Sequence, residues 1–136
     1  MLVHGTCNPT GEKAGYSGVY LSADDISRIV SHKELVGKPV LVEHGGNKVG
    51  SVISAWEHDG RLDVVVSLPR DSFDSCIAGA FVSSECLKDF SLGYKVQMSD
   101  LGNENGSLKT GKKTMVELSL VKTGARSNCH IKNFVY

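Results

Sequence analysis

Alternation of apolar and polar positions dominates this chain. In FSLGYKVQ (90–97), Phe90, Leu92, Tyr94 and Val96 alternate with Ser91, Gly93, Lys95 and Gln97. A period of two reads as a half-buried strand. KPVLVEHGGNKVGSVISAWEHDGRLDVVVSL predicts three strands, at 39–44, 48–57 and 61–68. Gly45–Gly46–Asn47 is the expected turn between the first two. Asp59–Gly60, a strong hairpin signal, separates the second and third. TMVELSLVK (114–122) alternates again, GYSGVYLS (15–22) supplies a first strand, and CHIKNFVY (129–136) a last one. Helical spacing is confined to two stretches. In ADDISRIVSHKEL, Ile26, Ile29 and Val30 form a stripe, Ser22 stands at the N-cap position, and Asp24 and Asp25 favour the first turn. In 71–88, Phe73, Ile77 and Phe81 share a face, and Gly79 predicts two short helices or one interrupted helix. The pattern predicts an α+β, mainly β fold: a small closed or partly open β-barrel of about six or seven strands with two or three short helices.

Residues 1–14 are rich in Gly, Thr, Asn and Pro and read as an irregular N-terminal segment, and the polar, glycine-rich 99–113 as a flexible loop. The length of 136 residues suits a single domain spanning 1–136 with a core of its own. A formal net charge of zero gives no basic excess for nucleic acid, and no apolar run approaches a membrane span. The N-terminus has no basic region followed by an apolar one, so it does not read as a signal peptide. Cys7, Cys76, Cys86 and Cys129 are widely and irregularly spaced. Close ligand pairs mark zinc sites, so no metal and no cofactor is expected, and a reduced intracellular setting fits better than a secreted one.

Three stretches can hold chemistry. His44 ends a strand beside two glycines, where it can reach a cleft or simply face water. Ser91 is a strand serine, inert unless a base takes its proton, and that base must come from elsewhere in the fold. Gly93, two residues on, is costly inside a strand and suggests that something, such as a substrate backbone, comes close. Glu117 shares a face with Met115 and Ser119, opposite Val116, Leu118 and Leu120. It either faces water or orients and charge-balances His44.

Taken in order, these stretches resemble one family. KPVLVEHGGNKVGSVISAW is similar to the histidine motif of the capsid-maturation serine proteases, the herpesvirus assemblins and tailed-phage prohead proteases. The matching positions are Val42, Glu43, His44, Val49 and Gly50. GYSGVYLS resembles the family's first strand, DFSLGYKVQ its nucleophile strand, and MVELSLVKTGARSNC its third motif. The Ser-Leu-Gly-Tyr form is nearer the phage enzymes. The similarity runs over most of 15–136.

The resemblance implies Ser91 as nucleophile and His44 as base. Herpesvirus enzymes use a second histidine as third member. The alignment puts Met115 there, which cannot serve, so Glu117 is the expected third member and His130 the runner-up. Of the herpesvirus Gly-Arg-Arg run, Gly124–Ala125–Arg126 keeps one arginine, and Arg126 is the expected oxyanion support. The implied function is a serine endopeptidase that cleaves scaffold or capsid precursor proteins, and itself, during viral particle maturation. Its setting would be a procapsid or intracellular assembly site. Its partners would be the precursor substrate and a homodimer or higher assembly, with no nucleic acid and no membrane. Against that family the 136 residues read as shorter than a herpesvirus protease domain, and a counterpart of the C-terminal helices that build its dimer is not expected within them. The alternatives are a catalytically inactive capsid-assembly or scaffold module with the same fold, and a cysteine hydrolase using Cys86 or Cys129.

Overall fold

The structure, a computed structural model, describes residues 1–8, 21–96, 102–104, 107–109, 113–124 and 128–136. Among the described residues, nine strands and two helices run in the order β1 (Leu2–Asn8), α1 (Ala23–Ser31), β2 (Pro39–Val42), β3 (Gly45–His58), β4 (Arg61–Ser67), α2 (Phe73–Ser83), β5 (Asp89–Val96), β6 (Gly102–Glu104), β7 (Ser107–Lys109), β8 (Lys113–Val121) and β9 (Ile131–Val135). Seven strands form one sheet in the order β5-β8-β2-β3-β4-β1-β9. The β2–β8 pair is parallel; the other neighbours are antiparallel.

This sheet curls until its ends meet. Phe90 N–H donates to the Cys129 carbonyl at 2.8 Å, Ile131 N–H to the Lys88 carbonyl at 2.9 Å, and Asp89 bridges His130. The result is a partly open barrel, mainly β, as the alternation predicts. Phe90, Leu62, Leu118, Leu120 and Val3 fill its interior, and α1 adds Ile26 and Ile29. Ser22 caps α1 as expected. Its hydroxyl accepts from Asp25 N–H at 3.1 Å, and the Asp25 carboxylate accepts from Ser22 N–H at 2.9 Å, a reciprocal capping box. Among the described residues no helix is long and apolar enough to cross a membrane.

Several expectations are corrected. The described part of the N-terminal segment, residues 1–8, is not irregular: β1 lies inside the sheet, paired with β4 on one edge and β9 on the other. Its turn-like composition misled because Gly5 serves packing. A Cβ there would meet Phe90 Cε2 and Ile131 Cα, both at 2.9 Å. The strand expected at 15–22 lies mostly outside the described residues, and Leu21 and Ser22 lead into α1 without strand structure. The stretch 99–113 is not all loop. β6 and β7 pair as a separate two-stranded ribbon, and Asn105–Gly106 between them is a dipeptide that two-residue hairpins favour.

α2 is one continuous helix. Gly79 does not break it, because it lies on the buried face with Ser75, Ala78 and Val82. Phe73, Ile77 and Phe81 do share a face, but it is the open one: they are 80%, 39% and 45% exposed.

The β2–β3 turn is also displaced. It falls on Glu43–His44, not on Gly45–Gly46–Asn47, for Val42 pairs directly with Gly45. Both turn residues are left-handed, with φ of 51° for Glu43 and 61° for His44. Two successive positive φ values suit the twist of a two-residue hairpin, although they strain non-glycine residues. Contacts to β8 and the residue after it hold the turn: Glu43 N–H donates to the Leu120 carbonyl at 3.0 Å, and the Glu43 carboxylate accepts from Lys122 N–H at 2.8 Å.

Candidate active site

β8 is the hub of the site. It pairs with β5 on one side and β2 on the other. Register sets Ser91 opposite Ser119 and Gly93 opposite Glu117. Alternation then turns Ser91, Ser119 and Glu117 to a common face. The β2–β3 turn overhangs that face from the other side, so the His44 ring reaches across β8.

His44 Nε2 lies 2.9 Å from Ser91 Oγ, and His44 Nδ1 lies 2.5 Å from Glu117 Oε1. An ionised carboxylate only accepts, so Nδ1 carries the ring hydrogen and donates it to Glu117. That leaves the Nε2 lone pair for the Ser91 hydroxyl proton. Ser91 and Glu117 are each 7% exposed, whereas the His44 side chain is 45% exposed. Serine and carboxylate are therefore sheltered, and the ring between them is open to a ligand. The arrangement can move a proton from serine to imidazole, with the carboxylate holding the tautomer.

Sequence reasoning passed over Ser119. Its hydroxyl donates to Glu117 Oε2 at 2.7 Å and accepts from His44 N–H at 3.0 Å. One buried side chain thus anchors both the carboxylate and the turn that carries the histidine. The signal was present, because Ser119 was placed on the Glu117 face, but its second partner is visible only in three dimensions.

Gly93 is explained differently from the expectation. A Cβ at Gly93 would meet Glu117 Cδ at 2.7 Å and Glu117 Cγ at 2.9 Å, and Glu117 Oε1 closer still. What approaches this backbone within the chain is the Glu117 carboxylate side chain. Glycine is what lets Glu117 lie flat across β5 and turn toward His44.

His130 is placed elsewhere. Its Nδ1 pairs with Asp89 Oδ1 at 2.7 Å, and Asp89 Oδ2 accepts from Gly124 N–H at 2.9 Å. This second pair sits where the sheet ends meet and ties the chain after β8 to β5. Arg126 lies outside the described residues. Cys129 is buried with its thiol 3.4 Å from the Cys7 carbonyl, and Cys86 is exposed beyond α2. Among the described residues no three His, Cys, Asp or Glu side chains gather to hold a metal ion.

The whole fold can be matched to solved structures. A Kaposi's sarcoma herpesvirus protease in complex with an allosteric inhibitor aligns over 96% of this chain and 75% of its own, with a TM-score of 0.58 and 13% identity. A room-temperature crystal structure of that protease in complex with an allosteric inhibitor gives the same coverage and identity and a TM-score of 0.57. The protease in complex with a hexapeptide phosphonate inhibitor aligns over 90% of this chain and 60% of its own, with a TM-score of 0.59 and 15% identity. The chain has the herpesvirus protease fold. No protein-family model and no curated protein matches it.

Proposed function

We propose that this chain is a serine endopeptidase that cleaves scaffold or capsid precursor proteins during the maturation of a viral particle. The observation that carries the reading is the continuous run of contacts from Ser91 Oγ to His44 Nε2 at 2.9 Å and from His44 Nδ1 to Glu117 Oε1 at 2.5 Å. Support comes from the shared fold and from a neighbour described with a hexapeptide phosphonate inhibitor, which makes a peptide the ligand class to expect.

In this mechanism Ser91 Oγ attacks a peptide carbonyl carbon while His44 Nε2 takes its proton. The tetrahedral intermediate collapses, the C–N bond breaks, and His44 returns the proton to the leaving amine. Water then attacks the acyl-serine by the same route in reverse. Glu117 stabilises the imidazolium that forms at each proton transfer and fixes the ring so that Nε2 faces Ser91. Arg126 is the residue proposed to support the oxyanion, by its side chain or through a neighbouring backbone N–H. Ser119 acts through Glu117 and the His44 turn and is a positioning residue.

The site of action proposed is an assembling procapsid inside the host cell, with the precursor as substrate, the chain's own sequence as a second substrate, and a homodimer or higher assembly as the working form. The test is co-expression with a candidate scaffold precursor, read by intact mass. Cleavage that disappears in Ser91→Ala supports the reading, and the loss expected for a triad serine is about 10⁶-fold. Cleavage that persists in Ser91→Ala overturns it. A peptide phosphonate gives a second readout, since it should add its mass to the wild-type chain and not to Ser91→Ala.

A further inference from the structure

The hairpin that presents His44 has a second flank. There it forms one wall of an open groove of about 470 Å³, within the range of ligand clefts, about 300–1,000 Å³. Val42, just before the turn, and Gly45, just after it, both line the groove, so it begins at the backbone that carries His44. α2 is the opposite wall and contributes Ile77 and Phe81, two apolar side chains that the fold leaves substantially exposed. Val49 and Ala78, both buried, lie between them. Asn47 Nδ2 donates to Asp74 Oδ2 at 3.0 Å, tying the hairpin to the first turn of α2 and giving the groove a polar, acidic rim.

We propose that this groove is a specificity subsite that takes an apolar side chain from the leaving-amine side of a peptide substrate. The proposal rests on the endopeptidase reading above and adds the direction and chemistry of substrate recognition. Its direction follows from proton transfer. Ser91 holds the acyl half, and His44 delivers a proton to the nitrogen, so the amine half of the substrate passes along His44. In the strand order, Ser91 on β5 lies to one side of the β2–β3 hairpin. The groove runs along that same hairpin, from Val42 and Gly45 to α2, and a chain that runs from Ser91 over the His44 turn enters it there. The walls select for an aliphatic or aromatic side chain, and the Asp74 carboxylate at the rim disfavours an acidic one.

The experiment is cleavage of a proteome-derived peptide library by the full chain, with products identified by mass spectrometry and Ser91→Ala as blank. The expected result is enrichment of Leu, Ile, Val, Met or Phe, and depletion of Asp and Glu, at the first or second position after the cut. In an Ile77→Asp, Phe81→Asp double variant the enrichment should vanish, with kcat/KM for apolar sequences falling by about 10–200-fold, the range that small changes in a hydrophobic pocket produce. Phe73→Asp alters the same helix outside the groove and should keep the preference, which separates a subsite effect from a damaged α2. Cleavage without the preference, or with it only before the cut, or with it retained in the double variant, overturns the subsite and leaves the endopeptidase reading standing. Absence of any Ser91-dependent cleavage overturns the endopeptidase reading, and the subsite with it.

Discussion

Adding one methyl group at Gly93 tests how the site is held together. A Cβ there would lie 2.7 Å from Glu117 Cδ, against about 3.4 Å for ordinary contact, and closer still to Oε1, so the carboxylate must retreat by more than about 0.7 Å. Glu117 has little freedom to do so. His44 holds one oxygen and Ser119 the other, and the residue is 7% exposed. Overpacking of a tight site costs about 1–3 kcal/mol of stability. A displacement approaching 1 Å in a positioned group can cost about 10²-fold in rate. Gly93→Ala should therefore lose stability by that amount in urea unfolding and lose about two decades of kcat/KM on a cleaved peptide. The decisive comparison is the same substitution in a Glu117→Ala background. With the carboxylate gone, the three atoms nearest the added methyl are gone, and Gly93→Ala should cost little further in either assay. This is a double-mutant cycle with a large coupling term, as expected for groups in direct contact. Equal losses in both backgrounds would refute the reasoning and return Gly93 to the role of admitting a substrate backbone.

Three further outcomes follow from the same geometry. Ser119→Ala removes a hydrogen bond to the carboxylate and one from the His44 backbone, so stability should fall by about 1.5–3 kcal/mol and the Ser91-dependent rate should fall with it; a rate equal to wild type would sever Ser119 from the site. Lys113→Met leaves the buried Asp25 carboxylate without the ammonium now 2.8 Å away, a loss of about 3 kcal/mol because Arg28 at 3.3 Å still faces it; urea midpoints read it, and an unchanged midpoint would deny the pair any structural weight. Burial pushes the Asp25 and Asp63 carboxyls up, but Lys113 and Ser22 at the first, and Thr6, Lys132 and His4 at the second, outweigh it and hold both below the ordinary 3.8. A carboxyl lowered by folding stabilises above its unfolded value and loses that contribution once protonated. Stability from these groups should thus be complete at neutral pH and decline as pH falls through 3.8 toward the folded values, with a smaller decline in Asp63→Asn. Unfolding free energies that stay flat down to pH 2 would contradict it.

The sequence by itself determined the local elements. Period-two alternation marked β2 to β5, β8 and β9, Asp59–Gly60 marked the β3–β4 hairpin, and Ser22 with Asp25 marked the start of α1. These signals are carried by neighbours a few residues apart, so a linear reading recovers them. It also put Ser91, His44 and Glu117 forward as candidates, and the family resemblance grouped them. What joins them is non-local. His44 stands 47 residues from Ser91 and 73 from Glu117, and only the order β5-β8-β2 with its register brings the three to one face. The same holds where the linear reading failed. β1 is a strand because β4 and β9 flank it. The His44 turn adopts positive φ because β8 grips Glu43. His130 belongs to Asp89 because the sheet curls until its ends meet, and Phe81 faces outward because Ala78 and Val82 are what α2 turns toward the sheet. Local residue preferences fix how a segment bends and alternates, but which segments share a face is decided by pairing and burial across the whole chain.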